Sequence, residues 1–374
     1  MAGTSLLPFD LTRAQDRVVR EIAADLGRRT PMARLVQGDV GSGKTAVALV
    51  AILMALEGGY QVAFMAPTEL LAEQHFRTLE DLLGPAGYPP HLLTSSCSAA
   101  EQRSIRVELR TGESRLVVGT HALFQEASRY ENLGLVVIDE QHRFGVAQRK
   151  ALAAKGAAPH VLVMTATPIP RSLALTVYGD LDLSLIDELP PGRKTVRTYL
   201  RTNEARSKVF EFLRSEIARG GRVFIVYPLI DESEEIAAAA LTENEETVRG
   251  LLPGVDIAVV HGRLNREQRE AETRRFRDGS VQVLLATTVI EVGVDVPEAT
   301  VMVIESAQRF GLSQLHQLRG RVGRSGRSAW FILFADENPG EEAAKRLEVM
   351  CRTHDGFEIA EADLEHRGPG ELIG

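Results

Sequence analysis

The chain has 374 residues, 44% hydrophobic and 25% charged, with a formal net charge of −8. Its length exceeds what one core usually serves, so two domains are expected, and no apolar run reaches the ~18 residues of a membrane helix. Two distant cysteines, Cys97 and Cys351, suggest no disulfide framework or zinc site and fit a reducing cytosol. The acidic balance argues against a protein held to nucleic acid by net charge alone, although arginines cluster in the second half. Met1 to Ser5 lack the basic and apolar regions of a signal peptide, and with reduced cysteines this predicts a cytoplasmic protein.

Apolar residues Val18, Val19, Ile22 and Leu26 recur at helical spacing after Asp10 and Thr12, either of which can cap the helix. Gln15 in this segment carries an amide with both donor and acceptor, which suits the edge of adenine; a plain surface glutamine is the alternative. An apolar strand then leads into Gly38-Asp39-Val40-Gly41-Ser42-Gly43-Lys44-Thr45, a G-x-x-x-x-G-K-[ST] loop, followed by a buried-helix pattern from Ala46 to Leu56. Glycines let backbone N–H groups turn toward phosphate oxygens, the helix N-terminus adds partial positive charge, and Lys44 adds a full one. Thr45 would place its hydroxyl on a Mg²⁺ shared with the phosphates.

Alternation follows. A strand is predicted over 61–65, with a helix opening at 67–74 and Pro67 in its first turn. Further strands are predicted over 116–121, 135–140 and 160–167. Continuous apolar strands with polar ends describe a parallel sheet covered on both faces, so their polar ends gather on one edge. Two of those ends matter most. Asp139-Glu140 follows an apolar strand, where Asp139 would hold Mg²⁺ and Glu140 would accept a proton from attacking water; turn or capping residues are the plainer reading. Thr68, Thr120 and His121 are polar ends suited to non-specific phosphate contact, or ordinary caps.

Asp187 to Lys194, with Pro190, Pro191 and Gly192, reads as a short stiff linker, and beyond it the alternation restarts without a second phosphate loop. The expected organisation is residues 1–188, a linker at 189–194, a second α/β domain at 195–338, and a helical segment at 339–374. Residues 230–250 read as a solvated acidic helix. Ala286 to Asp295 ends a strand with hydroxyls, including Thr288, a glycine and a carboxylate. In Gln317 to Arg324, Arg321 and Arg324 are spaced one helical turn apart, on one helical face, and could reach a γ-phosphate across a closing cleft; a basic helix face that binds nucleic acid or is simply solvated is the alternative. Arg319 and Arg327 read as a basic helix face.

The ordered set Gly38–Thr45, Ala66–Gln74, Gly119–His121, Asp139–His142, Thr165–Thr167, His261–Gly262, Ala286–Asp295 and Gln317–Arg324 resembles a superfamily 2 helicase motor. More narrowly, Arg34–Thr45, Met65–His75, Ile138–Gly145, Ile186–Arg193, Leu315–Arg324 and Asp363–Leu372 resemble the RecG family of branched-DNA translocases. The resemblance covers Phe9 to the end. It implies two tandem RecA-like α/β domains with parallel sheets and a short C-terminal helical hairpin, and an ATPase using ATP and Mg²⁺. Its implied partner is DNA, as duplex, forks or Holliday junctions, and the motor is expected to be a monomer that does not bind membranes. By this resemblance Gln15 reads adenine and Gly293 and Asp295 belong to the nucleotide site. Asp139 and Glu140 take the metal and water roles, and Arg321 and Arg324 are arginine fingers. His354, Arg367 and Glu371 become candidates in the hairpin and its loop, with Arg367 toward nucleic acid.

The RecG family also carries an N-terminal wedge that is missing here, and this chain stops inside the last motif, so a motor fragment with weakened DNA binding is expected. The motor of a transcription-repair coupling translocase is the alternative within the class. Gln141 and the Glu188–Arg193 linker favour RecG over it. A non-hydrolysing ATP-binding clamp is the alternative outside the class, and the intact Lys44, Glu140 and Arg321 argue against it.

Overall fold

A computed structural model describes residues 10–125, 127–139, 158–166, 180–191, 194–228, 234–287 and 296–367. The chain divides into two compact units, Met1–Pro190 and Pro191–Gly374.

The first unit is a seven-stranded sheet in the order β3-β4-β2-β5-β6-β1-β7, every described pairing parallel. Its strands are β1 (Ala33–Gly38), β2 (Gln61–Met65), β3 (Pro90–Leu93), β4 (Leu116–Gly119), β5 (Leu133–Ile138), β6 (His160–Thr165) and β7 (Asp182–Ile186). The helices are α1 (Arg13–Leu26), α2 (Lys44–Glu57), α3 (Glu69–Leu83) and α4 (Ala99–Thr111). Because side chains alternate along a strand, Val36, Val62, Phe64, Val118 and Val137 meet α1, α2 and α3 on one face. Leu35, Ala63, Met65, Val117 and Val136 form the opposite core with Leu109 of α4. Both faces are therefore apolar, which explains the continuous hydrophobic strands. Helix α2 is buried almost all round, as expected of the run from Ala46 to Leu56.

Thr12 caps α1 in a reciprocal box with Gln15. Pro67 does not enter α3; Thr68 is the N-cap, which puts the proline outside the helix. Three elements of this unit have no clear signal in the sequence: β3, a four-residue edge strand, α4, whose capping box is Ser98 and Glu101, and β7 at the opposite edge.

The second unit is a six-stranded parallel sheet in the order β10-β11-β9-β12-β13-β8. The strands are β8 (Val196–Arg201), β9 (Arg222–Val226), β10 (Ile257–Val260), β11 (Val283–Ala286), β12 (Ala299–Ile304) and β13 (Ala329–Phe334). The helices are α5 (Arg206–Ala218), α6 (Glu234–Leu251), α7 (Arg266–Asp278), α8 (Leu312–Arg319), α9 (Glu341–Arg352) and α10 (Gly356–Arg367). Helix α6 is not simply solvated: Leu241 and Val248 are buried in one core with Phe210 of α5. An acidic, alanine-rich stretch hides its apolar face because the few large residues there are widely spaced.

Candidate active site

In the first unit the phosphate-loop geometry follows from three glycines. Gly41 and Gly43 hold φ of 76° and 83°, a region that only glycine enters without strain. A Cβ on Gly43 would also lie 2.2 Å from Gln15 Nε2, and one on Gly38 would lie 2.6 Å from Ser42 Oγ. The loop is pinned internally: Ser42 N–H donates to the Asp39 carbonyl at 3.0 Å, and Val40 N–H to Asp39 Oδ1 at 2.5 Å. Lys44 Nζ donates to the carbonyls of Gly38 and Asp39, both at 2.9 Å, which holds the ammonium over the loop. Helix α2 starts at Gly43 with no side-chain cap and no acidic residue in its first turn. Its N-terminal N–H groups thus meet no carboxylate of their own helix, the condition for taking a phosphate. A nucleotide triphosphate fits these residues.

Gln15 is buried against the phosphate loop and is not a plain surface glutamine. It is 2% exposed; its Oε1 accepts from Thr12 N–H at 2.9 Å, and its Nε2 donates to the Ser42 carbonyl at 2.7 Å. The amide braces the phosphate loop from beneath.

Asp139 follows β5, and its N–H donates to the Met65 carbonyl at 2.9 Å, which ties the end of β5 to the end of β2. Only β6 separates β5 from β1, so the carboxylate and the phosphate loop share the C-terminal edge of the sheet, roughly 10 Å apart by strand spacing. His75 of α3 meets the carboxylate: Nε2 lies 2.8 Å from Asp139 Oδ2. Among the described residues no group of three or more His, Cys, Asp or Glu side chains converges to cage a metal. Thr45 and Asp139 instead suit an ion held mainly by phosphate oxygens and water. Glu140, Thr288, Gly293 and Asp295 lie outside the described residues.

The nucleic-acid candidates of the first unit stand at the same sheet edge. The Thr68 hydroxyl accepts from Leu71 N–H at 3.3 Å as the cap of α3. Thr120 is buried, whereas His121 is exposed. Glu69 accepts from both the N–H and the hydroxyl of Ser95, which fixes the loop after β3 beside α3.

In the second unit Arg321 and Arg324 do not share a helical face. Helix α8 ends at Arg319, Gly320 caps it, and Gly323 at φ 76° turns the chain away. Both arginines are half-buried in the loop beyond, and Arg324 Nε donates back to the Gly320 carbonyl at 3.1 Å. Arg319 is 4% exposed and not part of a basic surface. Its guanidinium donates to the carbonyls of Met350, Thr353 and His354 at 3.0, 2.9 and 3.3 Å, capping the end of α9. Arg327 likewise donates to the carbonyls of Arg219 and Gly220 beyond α5. His354 is exposed, Glu371 lies outside the described residues, and Arg367 is the last residue of α10.

At the C-terminal edge of the second sheet, Arg206 grips Glu305 with two bonds, 2.8 and 2.7 Å. The next residue, Ser306, adopts φ 47°, a left-handed conformation uncommon for serine, just before α8. Burial raises the Tyr227 phenol far above its ordinary value, and Glu305 adds to the effect.

Two family models match the chain: the DEAD/DEAH box helicase over residues 12–176 and the helicase conserved C-terminal domain over residues 205–326. The ATP-dependent DNA helicase RecG of Synechocystis is 55% identical over 99% of this chain and 45% of that protein. The RecG of Aquifex aeolicus is 52% identical over 98% of this chain and 47% of its own length. The chain thus spans about half the length of these relatives. A solved structure of RecG bound to a three-way DNA junction superposes with a TM-score of 0.84 at 48% identity, covering 98% of this chain and 48% of that one. Two parallel α/β units, the phosphate loop and this identity across nearly every residue lead to one assignment: the chain belongs to the superfamily 2 helicases and is a RecG-type motor region.

Proposed function

We propose that this chain hydrolyses ATP and uses the hydrolysis to move along DNA, as the motor of a RecG-type helicase acting on branched DNA in recombination and stalled-fork repair. One observation carries the reading: the phosphate loop of β1 and α2 shares a sheet edge with Asp139, two strands away. The branched substrate is suggested by the related RecG held on a three-way DNA junction.

In this reading the N–H groups of residues 38–45 bind the β- and γ-phosphates. Lys44 exchanges its carbonyl partners for phosphate oxygens. Thr45 and Asp139 hold Mg²⁺, which when bound neutralises phosphate charge and orients the γ-phosphoryl group. Glu140 takes the proton of the attacking water. Arg321 and Arg324 offset the charge that develops on the transferred group. Gly293 and Asp295 complete the nucleotide contacts. Gln15 serves adenine recognition at most indirectly, through the loop that it braces. Thr68, Thr120, His121, Thr288 and Arg367 contact DNA phosphates, His121 being the exposed one in the first unit. The motor works as a cytoplasmic monomer; among the described residues no helix is long and apolar enough to cross a membrane.

Steady-state ATP hydrolysis without DNA and with single-stranded, duplex and forked DNA tests the proposal. Stimulation by duplex or forked DNA is the expected result, with turnover abolished and ATP binding kept in Glu140→Ala. Hydrolysis indifferent to every DNA would leave an ATPase that is not a DNA motor. Turnover persisting in Glu140→Ala would remove the assigned base.

A further inference from the structure

The contact between His75 and Asp139 joins α3 to the end of β5 across 64 positions of sequence, and none of the roles assigned above uses it. Three observations give it meaning. The imidazole Nε2 lies 2.8 Å from Oδ2, and both side chains are mostly withdrawn from water, at 13% and 15% exposure. An ionised carboxylate only accepts hydrogen bonds, so Nε2 carries the hydrogen. The ring is itself fixed, packed against Phe64 of β2 with centroids 4.5 Å apart at 43°. Phe64 is fully buried in the core between the sheet and the helices, so the imidazole rests on a rigid support.

Asp139 is already held at its backbone by the Met65 carbonyl, the residue after Phe64. The backbone bond sets where the residue stands, and the bond from His75 sets how its carboxylate is turned. A carboxylate held in one rotamer about Cβ–Cγ presents its oxygens to an ion in a fixed direction.

We infer that His75 is a positioning residue, which holds the Asp139 carboxylate in the orientation that receives the divalent ion. The inference rests on the assignment of Asp139 to Mg²⁺. Partners that orient a metal-binding group characteristically change affinity by about 10–100-fold when removed.

The test compares His75→Phe, His75→Met and His75→Gln with the parent chain and Asp139→Asn. Phe keeps the ring against Phe64 without the N–H; Met and Gln have similar length, and only Gln carries a donor near the position of Nε2. Mn²⁺ binding to the chain saturated with a non-hydrolysable ATP analogue is read from the paramagnetic resonance signal of free Mn²⁺. A fluorescent nucleotide titration in chelator reports metal-free binding, and circular dichroism reports folding. The expected result is Mn²⁺ affinity lowered about tenfold in the Phe and Met variants and restored to within about threefold of the parent in Gln, with metal-free nucleotide binding unchanged. Should the Phe variant melt early, the Met and Gln pair decides. Parent-like Mn²⁺ affinity in Phe or Met, with affinity lost in Asp139→Asn, overturns the role of His75. Equal loss in Met and Gln overturns it too, by assigning the effect to packing. Mn²⁺ affinity unchanged in Asp139→Asn instead overturns the metal assignment beneath it.

Discussion

Gln15 Nε2 donates to the carbonyl of Ser42 at 2.7 Å, so the first turn of α1 supports the phosphate loop directly. The same amide closes the capping box of α1 through Oε1, and its Nε2 lies where a Cβ on Gly43 would fall. One buried side chain thereby links the start of the helix, the left-handed glycine and the loop that would meet phosphate.

Gln15→Glu keeps the acceptor toward Thr12 and turns the donor toward Ser42 into an oxygen facing an oxygen. The expected cost is about 1–3 kcal/mol of stability, the penalty for a buried polar group left without its partner. ATP binding should weaken more than the adenine-specific part of it: affinity for ATP and GTP analogues falls in parallel. A loss confined to adenine nucleotides would return Gln15 to direct adenine reading. Thermal melts and paired nucleotide titrations measure both.

Buried Arg319 gives a prediction about the C-terminal helices. Arg319→Met removes the donors to Met350, Thr353 and His354 and leaves their carbonyls uncapped. Hydrogen exchange should accelerate over α9 and α10 before it does over the sheet strands, with about 1–3 kcal/mol lost locally. Arg319→Lys should not restore protection, since a point-like ammonium cannot span several carbonyls as a planar fork does. Uniform exchange rates across the second unit would sink this view of the residue.

The ion pair of Arg206 and Glu305 is two-pronged, with Glu305 itself 5% exposed. Arg206→Met strands that carboxylate, and because the guanidinium is only partly sheltered the low end of the usual range applies, about 3 kcal/mol. The double variant with Glu305→Gln should recover part of the loss, since no uncompensated buried charge remains. A denaturant-unfolding cycle over the four chains reads the coupling; additive losses would mean that the pair is no unit.

His160 supplies a pH dependence. Burial pushes its imidazole below 6.5, against the opposing pull of Asp25, and Nδ1 accepts from Met32 N–H at 2.9 Å, a bond that needs this nitrogen unprotonated. Between the lowered folded value and 6.5 the unfolded chain holds more protons than the folded one. Stability from this group is therefore complete above about pH 6.5 and is lost as pH falls through the folded value. Melting temperatures from pH 7.5 downward should decline, and His160→Asn, whose amide oxygen still accepts from Met32, should flatten that decline. An equal decline in both proteins would assign it to other groups.

Much of this protein is written locally. The apolar runs that form β1, β2, β4, β5 and β6 are legible because a strand buried on both faces needs no polar alternation. The loop from Gly38 to Thr45 is legible because its conformation depends on glycines at fixed offsets, all within one turn of chain. What the sequence left open, or pointed the wrong way, depends on neighbours far along the chain. The spacing of Arg321 and Arg324 suggested a helix face, but Gly320 and Gly323 end the helix first. Arg319 reads as surface charge until packing brings the end of α9 over it, and nothing local shows that the fold sets Ser42, 27 positions on, against the Gln15 amide. The bond from His75 to Asp139 left no local trace. Strand order β2-β5 places the two together, and only a folded sheet has a strand order.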